Sequence, residues 1–344
     1  MRIVVDINHP AHVHFFKNFI WEMKKRRHDV IITASEKNIA YDLLDNYGFK
    51  YTKLGSYGSS ILKTIVNIPI MDYRMYKAIR SFNPDIFIGL GSIRSAHVAH
   101  IINKPSIIVE DSEHTKLQNW LYRPFSEVIL SSFSFKGSYG KKHLKYAGFD
   151  ELAYLHPRYF TPHKELLEKM NLKPYHYVII RFISWNASHD VGQKGFDFQS
   201  VQDMSDFISS IENHGYKVLI SSEEDLPPSL HKYSINLPPE DIHDLLYFAY
   251  MYIGEGATMA AEAAVLGTPS VYVSSIPLGY INELKQRYGL IYTCIGYEEV
   301  INLIKQLFQD NALKEKHKKK REKLLAECVD PTEYMVSLIE SYAK

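Results

Sequence analysis

The segment Gly254-Glu-Gly-Ala-Thr-Met-Ala-Ala-Glu-Ala-Ala-Val-Leu-Gly-Thr-Pro269 sets two glycines between an apolar run and a stretch of small residues. A helix opening near Ala257 presents first-turn amides that have no partner within the helix, at the end where the dipole is positive. Gly256 lets a phosphate approach that backbone, and the Thr258 hydroxyl adds a donor. Glu262 falls one helical turn further along the same face. A carboxylate there repels phosphate but accepts two hydrogen bonds from vicinal hydroxyls. Phosphate at the tip and ribose one turn along describe a nucleoside diphosphate. The same letters also suit an alanine-rich buried helix entered through a glycine turn, a common device in α/β folds.

Other strand-end loops carry chemistry of the same kind. Arg181 ends an apolar run and suits either bidentate neutralisation of a diphosphate or an ion pair with a neighbouring acid. Asn186 and Ser188 follow as neutral donors, with His189 beside them, and Trp185 suits stacking on a base or packing in a wall. Tyr280 and Asn282 follow a later strand and are candidates to touch a donor sugar. For proton removal, His12 at a strand-to-helix turn is one candidate base, while His14 suits helix-start packing or a phosphate contact. Asp111 and Glu113 are the rival bases, in an acidic run at 110–113 whose mutual repulsion raises at least one pKa. That run also suits a loop capping the next helix. His9, His12, His14, Glu110, Asp111 and Asp190 lack a metal-ligand spacing, so no metal is expected.

These residues need a scaffold, and the chain alternates the signals for one. Short β-branched runs at 3–7, 30–33, 86–88, 106–109 and 127–130 are separated by helical stretches at 14–27, 38–47, 61–82, 95–102 and 117–125. Strands at 177–183, 217–221, 250–253 and 270–273 alternate with helices at 201–214, 241–248 and 259–266. Strands apolar on both faces and divided by helices predict parallel sheets covered on both sides. The joint falls at 156–174, where Pro157, Pro162 and Pro174 flank a short charged helix. The basic run at 314–323 reads as the solvated face of a helix, or as a patch for nucleic acid or membrane. A last helix restarts at Asp330-Pro-Thr332. The helix at 61–80 mixes apolar residues with Lys63, Arg74 and Lys77, which fits a core-facing helix or a membrane-facing one.

Composition narrows the class. A length of 344 residues fits two domains, and 46% hydrophobic against 23% charged residues excludes a disordered chain. Forty basic against 39 acidic residues leaves a balance of +1, which argues against a nucleic-acid binder held by phosphates. Cys294 and Cys328 are isolated, so no disulfide framework or zinc ribbon is expected. No apolar run approaches a membrane span, and the first residues begin directly as a strand without room for a signal peptide. A soluble protein of a reducing, cytoplasmic compartment is expected.

The spacing of Gly256, Thr258, Glu262, Leu266, Gly267 and Pro269 resembles that of the GT-B glycosyltransferases, especially the GlcNAc transferase that makes lipid II, and of the non-hydrolysing UDP-GlcNAc 2-epimerases. By that resemblance Gly256, Ala257 and Thr258 cradle phosphate and Glu262 takes the ribose hydroxyls. His12 falls on the histidine closing the transferase's first glycine-rich loop, although Pro10 and Ala11 replace its glycines. Gly89-Leu-Gly-Ser-Ile-Arg-Ser95 is similar to its second such loop, and Glu110-Asp-Ser-Glu-His114 with Asn119 to its Glu-Gln-Asn segment. The resemblance thus implies acceptor-side places for His14, Gly91, Ser92 and Asn119. Closer still is the family called domain of unknown function 354, a set of GT-B-like proteins. Its marks stand here at Asp6 to His14, Glu110 to Glu113 and Arg181 to Asp190.

The resemblance implies an α/β, GT-B architecture: two Rossmann-like domains facing across a cleft, 1–158 for the acceptor and 172–328 for the nucleotide-sugar, with 329–344 crossing back as a helix. It implies a metal-independent glycosyltransferase moving a sugar of N-acetylhexosamine type from UDP to an acceptor hydroxyl in surface glycan or glycolipid synthesis. The partners are then a nucleotide-sugar donor and a glycan or lipid-linked acceptor, with no nucleic acid, and peripheral contact with the inner membrane face stays open. Two alternatives remain, a 2-epimerase-like enzyme and a non-catalytic nucleotide-sugar-binding protein. The epimerase is disfavoured by the lack of that family's His-Arg-Arg-Glu-Asn segment.

Overall fold

The computed structural model describes residues 1–37, 39–58, 61–111, 116–183 and 194–343, the side chains of 61–65 and 116 excepted. The chain is an α/β protein with two wholly parallel sheets. It divides into two compact units, Met1–Tyr159 with Cys328–Lys344, and Phe160–Glu327.

The first unit runs β1 (Arg2–Ile7), α1 (Pro10–Lys25), β2 (Asp29–Ser35), α2 (Ala40–Asn46), β3 (Thr52–Gly55), α3 (Ile61–Ile79), β4 (Ile86–Leu90), α4 (Ile93–Ile101), β5 (Ser106–Glu110), α5 (Lys116–Tyr122), β6 (Val128–Ser132), β7 (His143–Tyr146) and α6 (Leu152–Leu155). Its strands lie in the order β3-β2-β1-β4-β5-β6-β7. Ile3, Val4, Val5, Ile86, Phe87 and Ile88 are fully buried, which explains why these strands read as continuous apolar runs rather than alternating ones. Edge strands β3 and β7, of four residues each, escaped the sequence pattern and keep polar residues such as Lys53 and Lys145.

Helix α1 begins at Pro10, not at 14 as its apolar spacing predicts. Proline breaks a helix interior but suits the first position, where its missing N–H has no partner to lose. His9 precedes it as the cap, its Nδ1 accepting from Ala11 N–H at 3.3 Å. His12 and His14 therefore stand in the first helical turns rather than in a loop. Helix α3 buries Ile68, Met71, Met75 and Ile79 while Val66, Ile70 and Tyr73 are exposed, so it has a core face and an apolar outer face at once.

Beneath the carboxyl ends of β1 and β4 lies a fully buried ion pair. Asp6 Oδ1 accepts from Arg94 Nη2 at 2.7 Å and from Thr33 Oγ1 at 2.6 Å, and Oδ2 accepts from Ser92 Oγ at 2.6 Å. Arg94 Nη1 also donates to Ser35 Oγ at 2.7 Å. A buried charge is tolerable only when paired and hydrogen-bonded in this way. The network ties β1, β2 and α4 together just below the point where the strand order reverses.

The second unit runs α7 (Glu165–Lys169), β8 (Tyr177–Phe182), α8 (Val201–Glu212), β9 (Lys217–Ser222), α9 (Ile242–Phe248), β10 (Met251–Gly254), α10 (Ala257–Val265), β11 (Ser270–Val273), α11 (Gly279–Gln286), β12 (Ile291–Cys294), α12 (Tyr297–Phe308) and α13 (Leu313–Glu327). The sheet order is β12-β11-β10-β8-β9. Val178, Ile180, Ile253 and Val271 pack with Phe207, Ile208 and Ile211 in its core. The basic run at 314–323 lies within α13, which buries Leu313, His317 and Leu324 and leaves most of the lysines in solvent.

The final helix, α14 (Pro331–Ser341), belongs to the first unit and packs on α1 and α6. Asp330 caps it, accepting from Thr332 N–H at 2.9 Å and Glu333 N–H at 3.2 Å. Among the described residues no helix is long and apolar enough to cross a membrane.

Candidate functional site

In the second unit the strand order reverses between β8 and β10, where Arg181 pairs in register with Gly254. Ligands of open parallel sheets bind outside the carboxyl ends of the strands at such a reversal. A Cβ on Gly254 would stand 2.6 Å from the Tyr252 hydroxyl and 2.7 Å from Arg181 Cβ, so only glycine fits. Gly256 is the N-cap of α10 (φ −75°, ψ 106°), and no side chain caps that helix. The Tyr252 hydroxyl donates to the Gly256 carbonyl at 3.0 Å and fixes the turn from below. Gly256 and Ala257 are half-buried and Thr258 is exposed, so the positive pole of α10 is not buried under side chains.

Glu255, between the glycines, would repel an anion. Its carboxylate is instead turned onto the backbone, with Oε2 accepting from Ile183 N–H at 3.0 Å and Oε1 from Phe196 N–H at 3.1 Å. The acid thus joins the end of β8 to the segment before α8 and leaves the amides of α10 facing outward.

Arg181 makes the ion pair that its sequence allowed and stands beside the start of α10. A Cβ at Gly256 would touch its Cγ at 3.2 Å, so the side chain runs beside the helix pole. Its Nη1 donates to Ser221 Oγ at 2.6 Å and its Nη2 to Glu223 Oε1 at 2.8 Å. Bidentate engagement of a diphosphate would require that ion pair to open.

Glu262 is buried one turn along α10, and its Oε1 lies 3.1 Å from His243 Nε2. His243 is the second residue of α9, with the Phe160 ring edge-on at 6.4 Å. The sequence reading passed over His243. The available signal was a polar residue among Ile242, Leu245 and Leu246, since a buried polar group needs a partner. Tyr280 and Asn282 stand half-buried in the first turn of α11, which packs on α10.

In the first unit the reversal falls between β1 and β4. His12 is buried there, and its Nδ1 accepts from Asn8 N–H at 3.3 Å. Burial first, then the charges of His9, Lys37 and Arg94, push its pKa down to about 3. The ring is therefore neutral, with Nδ1 turned to the Asn8 N–H. His14 turns into packing, its Nδ1 3.3 Å from the Tyr47 hydroxyl and its ring 5.7 Å from Tyr154.

The other acceptor-side candidates are held by structure too. Gly91 (φ +52°) makes the turn after β4 and its carbonyl accepts from Gln118 Nε2 at 2.6 Å. Ser92 caps α4 by accepting from Ser95 N–H at 3.1 Å and gives its proton to Asp6. Asn119 donates to the Tyr139 hydroxyl at 2.6 Å, with the Tyr122 hydroxyl 2.8 Å from its Oδ1. Each thus completes a turn, a cap or a buried chain of hydrogen bonds.

Of the acidic run, Glu110 is buried against the Tyr122 hydroxyl while Asp111 is exposed just past β5. The acid that feels Asp111 is Asp150, just past β7. Burial and then the charge of Asp111 push its pKa up to about 7, against a hydrogen bond donated by Tyr146. The sequence reading missed Asp150, whose place after Gly148 and Phe149 looks like an ordinary turn. Glu113, Asn186, Ser188 and His189 lie outside the described residues. Among the described residues no group of three or more histidines, cysteines and acids is arranged to hold a metal ion.

Comparison with known proteins places this geometry. Across 357 aligned positions the chain is 23% identical to an uncharacterized protein of Methanocaldococcus jannaschii, covering 100% of this chain and 99% of that one. Over 110 residues, 29% of this chain and 31% of the relative, it is 28% identical to the UDP-N-acetylglucosamine–N-acetylmuramyl-(pentapeptide) pyrophosphoryl-undecaprenol N-acetylglucosamine transferase of Buchnera aphidicola. The UDP-GlcNAc 2-epimerase from Neisseria meningitidis bound to UDP-GlcNAc superposes with a TM-score of 0.70 at 13% identity, covering 100% and 99% of the two chains. The spinosyn rhamnosyltransferase complexed with spinosyn aglycone superposes with a TM-score of 0.64 at 12% identity, covering 100% of each. At these identities the structural likeness is one of fold, the GT-B architecture that transferases and epimerases share. Residues 1–344 match the family described as Protein of unknown function (DUF354), and the chain belongs to that family.

Proposed function

We propose that the protein is a glycosyltransferase that moves a sugar of N-acetylhexosamine type from UDP to an acceptor hydroxyl, in surface glycan or glycolipid synthesis. One observation carries the reading: the uncapped start of α10 stands at the β8/β10 reversal with Glu262 one turn beyond it. The amides of Ala257 and Thr258, with Gly256 giving room, hold the diphosphate, and Glu262 takes the ribose hydroxyls. Arg181 exchanges Glu223 for the diphosphate and stabilises the negative charge that develops as UDP leaves. Asn186, Ser188, His189, Tyr280 and Asn282 complete the donor side.

Transfer joins the acceptor oxygen to the anomeric carbon and breaks the bond from that carbon to UDP. The acceptor proton goes to a carboxylate of the group at Asp111 and Glu113. Neutral His12, with its proton on Nε2, orients an oxygen by donating to it. The positive charge comes from the helix pole and Arg181, so the reaction proceeds without a metal. The exposed apolar face of α3, with Val66, Ile70 and Tyr73, supports peripheral contact with the cytoplasmic membrane surface and a lipid-linked acceptor.

Thermal stabilisation across a panel of nucleotides and UDP-sugars is the direct test. UDP compounds should raise the Tm, and UDP release should then depend on an acceptor. Epimer formed without any acceptor would make the protein a 2-epimerase, and binding without turnover would make it a nucleotide-sugar binder. No stabilisation by any nucleotide would overturn the reading.

A further inference from the structure

We infer that His243 sets the donor specificity of this site, holding Glu262 so that it accepts ribonucleotides and rejects 2′-deoxyribonucleotides. The inference rests on the proposed ribose-binding role of Glu262. It adds a residue that touches the carboxylate rather than the substrate, and a choice between nucleotide classes.

Glu262 lies in the middle of α10 among Ala260, Ala261, Ala263 and Ala264, none of which has any exposed surface. Residues one and two positions away point to other faces of the helix. A second element, α9, reaches the Glu262 carboxylate and takes part in orienting it. The Nε2 of His243 lies 3.1 Å from Oε1, with the side chains of His243 and Glu262 only 3% and 9% exposed. The imidazole is itself confined, since α9 packs on α10 and the Phe160 ring lies edge-on to it. A confined donor on one oxygen restricts the rotation of the carboxylate.

That restriction matters because a carboxylate recognises a vicinal diol as a pair. The two hydroxyls of ribose can reach both oxygens together only when the carboxylate is held in one orientation. A deoxyribose offers one hydroxyl and leaves a desolvated acceptor without its donor. A site built to hydrogen-bond a hydroxyl rejects the analogue lacking it far more strongly than an apolar pocket does. A Glu262 free to rotate would bind the remaining hydroxyl and turn its other oxygen to water, losing the discrimination. A glycosyltransferase with this fold, superposing with a TM-score of 0.65 at 12% identity, was solved in complex with dTDP, so the architecture itself does not dictate the choice.

The test is the ratio of the dissociation constants of 2′-deoxy-UDP and UDP, measured by calorimetry on the full chain. The wild type should favour UDP by about tenfold or more. His243→Phe should bring the ratio to within about threefold of unity while the affinity for 2′-deoxy-UDP stays nearly unchanged. His243→Gln keeps an N–H donor and should restore most of the preference. Glu262→Ala should abolish it. Equal weakening of both nucleotides in His243→Phe would show mere structural support and overturn the inference. A preference kept in His243→Phe but lost in Glu262→Ala overturns the inference and spares the ribose assignment. A preference intact in Glu262→Ala overturns the assignment itself. Should His243→Phe fail to fold, His243→Leu is read by the same ratios.

Discussion

Arg181 is tied to Glu223, its Nη2 donating to Oε1 at 2.8 Å across the ends of two adjacent strands. The Glu223 side chain is 51% exposed, so solvent screens the pair and its share in stability is on the order of 0–1 kcal/mol. On the proposed function its effect is expected in UDP binding. Glu223→Gln removes a competitor for the guanidinium and should tighten UDP binding a few-fold. Arg181→Ala should weaken it by roughly 10- to 150-fold, the range for a hydrogen bond to a charged group. Titration calorimetry with UDP measures both, and three equal affinities would remove Arg181 from the site.

Two glycines separated by one residue should respond differently to a side chain. At Gly254 a Cβ meets the Arg181 carbonyl oxygen at 2.8 Å as well as Cβ of Arg181, backbone and side chain that cannot step aside. Gly254→Ala should therefore destabilise the fold by about 1–3 kcal/mol. At Gly256 the closest atoms are Arg181 Cγ at 3.2 Å and the Tyr252 hydroxyl at 3.3 Å, which can shift slightly. Gly256→Val should leave the Tm closer to wild type yet block anion approach. Melting curves with and without UDP separate the two outcomes.

The Asp6–Arg94 pair, with both side chains fully buried, makes a sharper prediction about stability. Arg94→Met leaves the Asp6 carboxylate without its cation and should cost about 3–5 kcal/mol. Adding Asp6→Leu to that variant should recover most of the loss, because a well-packed apolar pair avoids desolvating charge. Urea unfolding of the single and double variants gives the comparison. A double variant no better than the single one would mean that Thr33 and Ser92 suffer from losing Asp6.

Stability should depend on pH with two opposed contributions. Burial holds His12 and His317 down to about 3, against an ordinary 6.5. Between these values the unfolded chain binds protons that the folded one does not, so their contribution is present above pH 6.5 and lost as pH falls towards 3. Asp150, pushed up to about 7 from an ordinary 3.8, acts in the other sense. Its contribution is present below pH 3.8 and lost as pH rises through 7. Asp150→Asn should thus melt higher than the wild type at pH 8, with the gap shrinking towards pH 4. His317→Phe should flatten the acid limb. Melting curves over pH 4–8 report both.

The alternation of strands and helices was legible wherever strands are buried on both faces, as at β1, β4, β5 and β8, because burial forces a continuous apolar run. It failed at β3, β7 and β12, edge strands of four residues that carry Lys53, Lys145 or Thr293, while the six-residue edge strand β9 was legible. It failed also at the start of α1, where a proline looks like a breaker and serves as the first helical residue. The helix start after Gly256 was legible for a local reason, since glycine, a short turn and small residues dictate it within one segment.

What the sequence determined by itself was this local grammar: parallel α/β units, a helix start after two glycines, and a set of acids, histidines and one arginine near strand ends. What only the tertiary structure decided was which of those groups is already engaged. Ser92 reaches Asp6 across 86 residues, Arg181 reaches Glu223 across 42, and His243 meets Glu262 across 19. The charge of a side chain is written in its own letter. Its partner, its proton and its freedom to meet a ligand depend on strand order and burial, which no short stretch of chain contains.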